Sequence, residues 1–411
     1  MLTRLLLSVS ALFLTLPASA QEWTRFRGPN GSGVSDANTV PIEWTEKDLN
    51  WNVKIPGKGH GSPVVWGSKL FVNCESGTKG SERIIVCLDT KTGKELWQKS
   101  YTVSPPRKIH KKNSFASSTP AVDAEHVYVA WGVPSKISLL ALTHDGDLAW
   151  EADLGTFKGG HGFAGSPIIY EDLVVLPNDQ NGKSSLIAVD RKTGDTRWTV
   201  PRESKRTSYG TPCVYQPAGR PAELIFTDWS HGITAVDPKT GKVAWESGVF
   251  DTTSKQRAIG SPIIFGDLVI GTCGFVTADK RAVAVRPDSA GQIETVLQVD
   301  RQVPHIPTVL AHKGRLYMWS DKGIVSSIRL DDGEVVWTKR VGGNFLGSPV
   351  CMNDRLYSVD DQGVVVVLAA SDDYEELARN KLGEACHSTP AVAGGAMFVR
   401  TASHVVSIGG E

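Results

Sequence analysis

The stretch Asp89-Thr90-Lys91-Thr92-Gly93-Lys94-Glu95-Leu96-Trp97 decides the fold. Its aspartate can accept hydrogen bonds from the backbone N–H groups of a turn, and its glycine can take the positive φ that closes a hairpin. The tryptophan follows the glycine by four residues, on the strand that leaves the turn. The same spacing recurs at Gly93/Trp97, Gly146/Trp150, Gly194/Trp198, Gly241/Trp245 and Gly333/Trp337.

A second signal repeats along the chain, with prolines 41 to 57 residues apart. In seven of its eight copies a small residue precedes the proline, and in the sixth copy Ile306 precedes Pro307. The seven regular copies are Ser62-Pro63, Thr119-Pro120, Ser166-Pro167, Thr211-Pro212, Ser261-Pro262, Ser348-Pro349 and Thr389-Pro390. Each proline precedes a brief apolar run, a turn and further short strands, so that one period accommodates four strands.

Eight such units predict an all-β, eight-bladed β-propeller with four antiparallel strands per blade. A blade cannot bury both of its faces alone, and a tryptophan at a fixed offset on the last strand can fill the gap against the next blade. Two blades lack this tryptophan. Thr295 and Val296 stand at its position in the fifth blade, and Leu377 stands there in the seventh, so we expect these blades to dock more weakly.

The two ends of the chain predict how the ring closes. The last repeat ends at Ile408 without a Gly-x-x-x-Trp strand, whereas Trp51 precedes the first repeat without a hairpin before it. We therefore expect the segment 49–53 to supply the outer strand of the eighth blade, which removes exposed sheet edges. The propeller would span residues 49–411, and residues 21–48 would form an irregular N-terminal strap.

The turn and its tryptophan resemble the Ala-x-Asp-x-x-Thr-Gly-x-x-x-x-Trp motif of the pyrroloquinoline-quinone (PQQ) repeat family, which includes BamB-like and quinoprotein dehydrogenase propellers. The resemblance extends over nearly the whole chain and implies an eight-bladed propeller. It implies a structural docking role for the repeated tryptophans and glycines, namely Trp51, Trp97, Trp150, Trp198, Trp245, Trp337, Gly93, Gly146, Gly194, Gly241 and Gly333.

The first twenty residues predict a secretory signal peptide. Arg4 is followed by an apolar run from Leu5 to Leu16 and by Ala18-Ser19-Ala20, a cleavage sequence of small residues. We expect cleavage after Ala20 and a periplasmic or secreted protein. No cysteine stands at the cleavage point, so we expect no lipid anchor there, and no later stretch is long and apolar enough to span a membrane.

Charge and cysteine content narrow the class of partner. The chain has 44 basic and 44 acidic residues, whereas a nucleic-acid-binding protein usually shows a basic excess. We therefore expect no nucleic-acid partner, and we expect a monomer. The six cysteines form no Cys-x-x-Cys motif, and we interpret them as mostly buried free thiols in strands.

The candidate site lies on one face of the ring. The linkers from each outer strand to the next inner strand gather there, on what we name the top face, and they contain 17 Lys or Arg against 5 Asp or Glu. A basic mouth suits an anionic partner, although an ordinary solvated rim is the alternative interpretation. The candidate ligand-binding residues are His60, His161, Arg206, Tyr209, Arg257, His305, Asn344 and His387.

Two of these histidines occupy the same repeat position in blades that ring closure makes neighbours. His60 and His387 could therefore hold a metal ion or respond to pH. No cysteine or carboxylate stands at ligand spacing beside them, so we expect no metal.

Three functions remain open on this sequence. We favour a non-catalytic scaffold that binds an envelope protein, a peptide or an anionic polymer, with no cofactor. The resemblance alternatively implies a PQQ-dependent oxidoreductase for alcohols or sugars, but its adjacent-cysteine disulfide is missing and no spacing singles out the oxygen ligands for Ca²⁺. A third possibility is polysaccharide binding by exposed aromatic rings, which are alternatively core: Trp131, Phe163, Tyr209, Trp229, Trp319 and Phe345.

Overall fold

The computed structural model describes residues 22–104, 109–110, 112–250, 256–275 and 278–410. The predicted signal peptide, residues 1–20, lies outside them. Two strands, β1 (Val34–Ser35) and β2 (Leu49–Lys54), precede the first blade. Two short 3₁₀-helices flank them at Pro29–Gly31 and Glu46–Asp48. No helix in the described ranges is long and apolar enough to cross a membrane.

Eight sheets follow one another, one for each blade. Blades 1 to 7 each consist of four consecutive antiparallel strands, whereas blade 8 consists of three consecutive strands and β2; the other early strand, β1, is added to the sheet of blade 7. The strands of blades 1 to 4 are β3 (Val64–Trp66), β4 (Lys69–Ser76), β5 (Glu82–Asp89), β6 (Glu95–Thr102), β7 (Ala121–Val122), β8 (His126–Val133), β9 (Lys136–Thr143), β10 (Leu148–Asp153), β11 (Ile168–Tyr170), β12 (Leu173–Asn178), β13 (Gly182–Asp190), β14 (Thr196–Ser204), β15 (Cys213–Tyr215), β16 (Glu223–Asp228), β17 (Gly232–Val236) and β18 (Val243–Ser247).

The second half of the ring repeats this order. The strands of blades 5 to 8 are β19 (Ile263–Phe265), β20 (Leu268–Phe275), β21 (Ala278–Pro287), β22 (Ile293–Val299), β23 (Leu310–His312), β24 (Arg315–Trp319), β25 (Ile324–Arg329), β26 (Val335–Arg340), β27 (Val350–Met352), β28 (Arg355–Val359), β29 (Val364–Ala369), β30 (Glu376–Lys381), β31 (Ala391–Ala393), β32 (Ala396–Arg400) and β33 (His404–Gly409). The predicted all-β, eight-bladed propeller is confirmed.

The ring closes with an early strand, as the sequence predicts. Strand β2 pairs antiparallel with β33, Trp51 opposite Ser407, and becomes the outer strand of blade 8. Strand β1 pairs in parallel with β27, the innermost strand of blade 7. The residues between these two strands therefore run from the inner edge of blade 7 to the outer edge of blade 8.

Hydrogen bonds from the repeated tryptophans join neighbouring blades. In five of them the indole Nε1 donates to a backbone carbonyl in the hairpin turn of the next blade: Trp51 to Thr90 at 2.9 Å, Trp97 to His144 at 2.8 Å, Trp150 to Arg191 at 3.0 Å, Trp198 to Pro238 at 2.8 Å and Trp337 to Ser371 at 3.1 Å. Trp245 faces the longer turn of blade 5 and bonds instead to the Glu223 carboxylate of its own blade at 2.7 Å.

A β-bulge on each outer strand sets the position of the tryptophan. In blade 3, Ala188 pairs with Trp198 and Val189 with Thr196. The equivalent residues are Leu297, opposite Ala284, in blade 5 and Ala378, opposite Val367, in blade 7. The prediction of Thr295 and Val296, and of Leu377, was therefore wrong. The bulge is common to all the outer strands, but the altered turns of blades 5 and 7 change the count from turn to docking position.

The N-terminal segment fills the junction between blades 7 and 8. Ala378 is too small to fill the gap there, and blade 8 has no hairpin turn before its outer strand because β2 comes from the start of the chain. Trp44 is buried in the same core cluster as Ala378. Its backbone N–H donates to Asn380 Oδ1 at 3.0 Å, which fixes it to β30.

All six cysteines are buried free thiols. Cys74 and Cys87 lie on paired strands but out of register, since Cys74 stands opposite Ile84 and Cys87 opposite Phe71. The interpretation of the cysteines as buried thiols in strands is thus confirmed, except that Cys386 lies in a loop before β31.

Candidate functional site: the axial cavity and its basic mouth

A cavity of about 160 Å³ lies where the inner ends of all eight blades converge. Each blade contributes two residues to it, two positions apart in sequence. The lower tier consists of hydroxyl side chains: Ser62, Thr119, Ser166, Thr211, Ser261, Thr308, Ser348 and Thr389. The upper tier, nearer the top face, consists of His60, Ser117, Ala164, Tyr209, Ile259, Ile306, Leu346 and His387.

The lower tier, which we name the hydroxyl ring, ties the blades together at the axis. The backbone N–H of Ser62 donates to Thr119 Oγ1 at 2.9 Å, and the N–H of Thr119 donates to Ser166 Oγ at 2.9 Å. The same bond recurs from residues 211, 261, 308, 348 and 389 to the hydroxyl of the following blade, at 2.9 to 3.0 Å. The hydroxyl of this small residue therefore accepts the hydrogen bond that links one blade to the next.

The sixth repeat is regular in this ring. Thr308, one residue after Pro307, accepts from Ser261 N–H at 3.0 Å and donates its own N–H to Ser348. The interpretation that the sixth copy lacks the small residue was wrong, because the proline there stands one residue before the hydroxyl residue, two positions from its place in the other copies, and the hydroxyl is kept. Ile306 consequently lies in the upper tier.

Glycine separates the two tiers where blades approach most closely. A Cβ atom at Gly61 would lie 2.3 Å from the Ser118 carbonyl oxygen, and one at Gly347 would lie 2.3 Å from that of Ser388. These contacts are too short for a side chain, so the backbones at Gly61 and Gly347 can approach the neighbouring blade this closely only because glycine stands there.

Residues of the N-terminal strap form the floor. Phe26 lines the cavity. On either side of it in sequence, Arg25 donates to the Pro212 carbonyl of blade 4, and Arg27 donates to the carbonyls of Val309 in blade 6 at 3.1 Å and of Pro349 in blade 7 at 2.8 Å. Burial lowers the pKa of Arg25 to about 10 and that of Arg27 to about 9. Both guanidinium groups are bonded to backbone carbonyls and have no carboxylate partner among the described ion pairs.

Two of the predicted histidines meet at the mouth. His387 Nδ1 lies 3.0 Å from His60 Nε2, with the ring centroids 4.4 Å apart. Burial, and then the charges of His387 and Arg400, lower the pKa of His60 to about 3. Burial also lowers the pKa of His387. Both imidazoles are therefore neutral at pH 7, and they share one hydrogen bond.

Four other predicted residues lie on the linkers before blades 3 to 6. Arg206 stacks over Phe275 at 4.8 Å, and His305 meets the same ring edge-on at 5.6 Å. Arg257 pairs with Gly274, next to Phe275, and donates to the Thr207 carbonyl at 2.9 Å. Burial, and then the charge of Arg257, lower the pKa of His161 to about 4, so the basic residues of this region act on one another.

Tyr209 and Asn344 complete the predicted set. Tyr209 lines the cavity, and burial raises its pKa to about 12. Asn344 does not line the cavity. Its Oδ1 accepts from Lys322 at 3.0 Å, and its Nδ2 donates to Asp361 at 3.3 Å.

Acidic side chains of the top face accept hydrogen bonds from nearby groups of the protein itself. Asp321 accepts the backbone N–H groups of His305 at 2.7 Å and of Ile306 at 3.1 Å. Asp360 accepts two backbone N–H groups of its turn, and Asp179 accepts from Arg202 Nε at 2.7 Å. None of the residues lining the cavity is a carboxylate, and Lys112 is the one lysine or arginine among them.

The aromatic side chains considered for sugar stacking are mostly core residues. Trp131, Phe163, Trp229, Trp319 and Phe345 are all buried. The alternative that these rings are core residues is confirmed for five of the six, and they are not available for sugar stacking because they pack inside the protein, as Trp319 does against Phe345 at 5.2 Å. Of the six, only Tyr209 is partly exposed.

Sequence reasoning missed a large part of this site. It marked the small residue before each proline as a repeat but gave its hydroxyl no role, and it gave Arg25, Phe26 and Arg27 no place at the axis. The signal for the hydroxyl ring was available, since seven of the eight copies carry Ser or Thr directly before the proline. No repeat pattern marks the floor residues, because they come from outside the repeats.

Fold and cavity together define an eight-bladed β-propeller with an axial, basic-mouthed cavity. The family model described as "Outer membrane protein assembly factor BamB" matches residues 80–339, 278–373 and 321–408. The chain belongs to this family of PQQ-repeat propellers.

Individual relatives agree with this assignment. The chain is 22% identical over 355 residues to the outer membrane protein assembly factor BamB of Moranella endobia (strain PCIT), which covers 82% of each chain. Among solved structures, BamB from Moraxella catarrhalis matches with a TM-score of 0.62 at 14% identity, over 88% of this chain and 97% of that one. A europium-containing methanol dehydrogenase matches with a TM-score of 0.72 at 12% identity, over 94% and 90%. At these identities the structures show a shared fold.

Proposed function

We propose that this protein is a non-catalytic scaffold of the cell envelope that binds a polypeptide or another anionic ligand through the mouth of its top face. The observation that carries the proposal is the charge at the mouth: Lys112 is the charged side chain in the cavity lining, and the other lining residues are hydroxyl, amide, neutral imidazole and apolar side chains with no carboxylate among them. A mouth of one charge sign focuses its potential on a partner of the opposite sign. Membership of a family described by outer membrane protein assembly supports an envelope location and a protein partner.

Quinoprotein chemistry is the competing function, and the residues present fit its cofactor poorly. Ca²⁺ prefers six to eight oxygen ligands, usually including carboxylates. The cavity lining contains no carboxylate, and the described residues contain no cluster of three or more His, Cys, Asp or Glu that could hold a metal ion. The six cysteines include no adjacent pair. The lack of these ligands and of an adjacent cysteine pair among the described residues favours the scaffold over a PQQ-dependent oxidoreductase.

Affinity capture from a bacterial envelope extract tests the scaffold. The protein is immobilised as the wild type, as the top-face variant Lys112→Glu/Arg206→Glu, and as the bottom-face variant Lys91→Glu/Lys242→Glu. Both double variants change the net charge by the same amount. We expect the wild type and the bottom-face variant to retain the same specific polypeptide or acidic polymer, and the top-face variant to retain at least fivefold less. Equal retention by all three proteins, or by none, would contradict the proposal.

A further inference from the structure

The hydroxyl ring carries unused donors. Seven of its oxygens accept a backbone N–H from the preceding blade: those of Ser62, Thr119, Ser166, Ser261, Thr308, Ser348 and Thr389. Each hydroxyl still has one O–H to donate. None of the hydrogen bonds between described residues uses these O–H groups as donors, although every one of the seven side chains is at most 4% exposed. Buried donors of this kind require an acceptor.

Two buried arginines stand on either side of Phe26 in sequence and bind the backbone next to this ring, although Phe26 and not the guanidinium groups lines the cavity. Arg27 Nη1 donates to the carbonyl of Pro349, the residue after Ser348, and Arg27 Nη2 donates to that of Val309, the residue after Thr308. Arg25 holds the carbonyl of Pro212, the residue after Thr211. The two guanidinium groups are buried, with 7% and 0% of their residues exposed. A buried cation bonded only to neutral carbonyls leaves most of its charge uncompensated.

The upper tier limits what can enter. Ile259, Ile306 and Leu346 present apolar side chains, whereas Lys112 supplies a cation at the rim. The cavity of about 160 Å³ corresponds to roughly five water molecules at about 30 Å³ each. An occupant that satisfies the donors must therefore be small, rich in oxygen acceptors and negative.

We propose that the axial cavity is a binding site for a single oxyanion, a carboxylate or phosphate group, held by the hydroxyl ring above Arg25 and Arg27. The group enters from the top face past Lys112 and the His60–His387 pair. It is either a small free anion or the terminal carboxylate of a polypeptide. For the polypeptide terminus, this inference rests on the proposed function. For the small free anion, it is independent of the proposed function.

Calorimetric titration at constant ionic strength, with chloride as the balancing anion, tests the site. The probes are inorganic phosphate, acetate and succinate, and a pair of short peptides with free and amidated C-termini. Saturable binding of any oxyanion, with one site per chain, supports the proposal. A preference for the free over the amidated peptide identifies a polypeptide terminus as the source. No saturable binding of any probe would show a water-filled cavity and overturn the proposal.

A matched pair of variants locates the binding. Ala164 lies in the upper tier and is partly exposed. Ala164→Asp and Ala164→Asn add the same volume above the hydroxyl ring, but only the aspartate adds negative charge. We expect Ala164→Asp to bind the preferred oxyanion at least tenfold more weakly than Ala164→Asn, with unchanged melting temperatures for the two. Equal affinities would place the anion elsewhere and overturn the proposal.

The two proposals can fail separately. Envelope capture uses a partner and the outer charges Lys112 and Arg206, whereas titration with phosphate or acetate uses no partner. Anion binding without capture leaves the axial site intact and rejects the scaffold. Capture without anion binding rejects the axial site alone.

Discussion

The indole Nε1 of Trp150, in blade 2, donates a 3.0 Å hydrogen bond to the carbonyl oxygen of Arg191, in the turn of blade 3. The same ring lies against Gly194 of that turn, where a Cβ would approach Trp150 Cε3 to 2.6 Å. One side chain thus fills the gap between blades and fixes their spacing.

Removing this ring should destabilise the whole propeller. Trp150 is buried and packs in the core between blades 2 and 3, so we expect Trp150→Ala to lower the free energy of unfolding by about 3–5 kcal/mol. Trp150→Phe keeps most of the packing and loses the hydrogen bond, and we expect it to cost about 1–2 kcal/mol. Chemical denaturation of the two variants checks the order. A larger loss for Phe than for Ala would contradict it.

Glycine is required in the docking turn because its φ is positive and because an indole packs against it. Two Gly→Ala variants separate these two reasons. Gly194 has a φ of +77° and contacts Trp150, whereas Gly219 has a φ of +71° and open space around its Cα. We expect Gly219→Ala to cost about 1 kcal/mol from backbone strain alone, and Gly194→Ala to cost at least twice as much. Melting temperatures of the two variants measure the difference. Equal effects would mean that the turn does not pack against the indole.

Sequence periodicity predicted most of the fold because each blade repeats the same local chemistry. The Gly-x-x-x-Trp spacing and the Ser/Thr-Pro step located the turns, the docking strands and the inner ends of the blades. Trp51 likewise revealed the closing strand. The positions of Leu297, Thr308 and Ala378 were misassigned, because an altered turn or a displaced proline changes the count by a residue or more.

The site was less predictable, since it combines repeat positions with residues from outside the repeats. His60, Tyr209 and His387 were predicted at the mouth and do line the cavity. The floor depends on Arg25, Phe26 and Arg27, which reach the axis only because β1 joins the inner edge of blade 7. Long-range pairing of this kind leaves no local signal in the sequence.

Trp44 should behave differently from the repeat tryptophans. It is buried at the junction of blades 7 and 8, and its Nε1 has no hydrogen-bond partner in the described structure. We expect Trp44→Ala to cost about 3–5 kcal/mol by leaving a cavity. Trp44→Phe removes an unsatisfied donor, so we expect it to change stability by less than about 1 kcal/mol. A penalty for Trp44→Phe as large as that for Trp150→Phe would reveal a bond at this indole.

Acidification should destabilise the protein through His60. Its pKa is about 3 in the folded state, against about 6.5 in the unfolded chain. Because the unfolded state binds the proton more readily, stability is fully present above pH 6.5 and is lost as the pH falls toward 3. Between pH 7 and pH 5 the expected loss from this residue is about 2 kcal/mol.

Denaturation of the wild type and of His60→Gln at both pH values measures this contribution. We expect the difference in stability between pH 7 and pH 5 to be smaller in the variant. His231 provides a control of opposite sign, because its bond to Glu246 raises its pKa. His231→Gln should therefore leave the acid-induced loss at least as large as in the wild type. An unchanged pH dependence in His60→Gln would contradict the assignment.

Reconstitution with PQQ and Ca²⁺ tests most directly the claim that this propeller binds without catalysing. The purified protein is mixed with both, separated from free cofactor, and assayed by absorbance and by dye reduction with alcohols and sugars. We expect no retained quinone absorbance and no substrate-dependent dye reduction, because the cavity offers no carboxylate for the metal. Stoichiometric quinone retention together with alcohol- or sugar-dependent turnover would contradict the account.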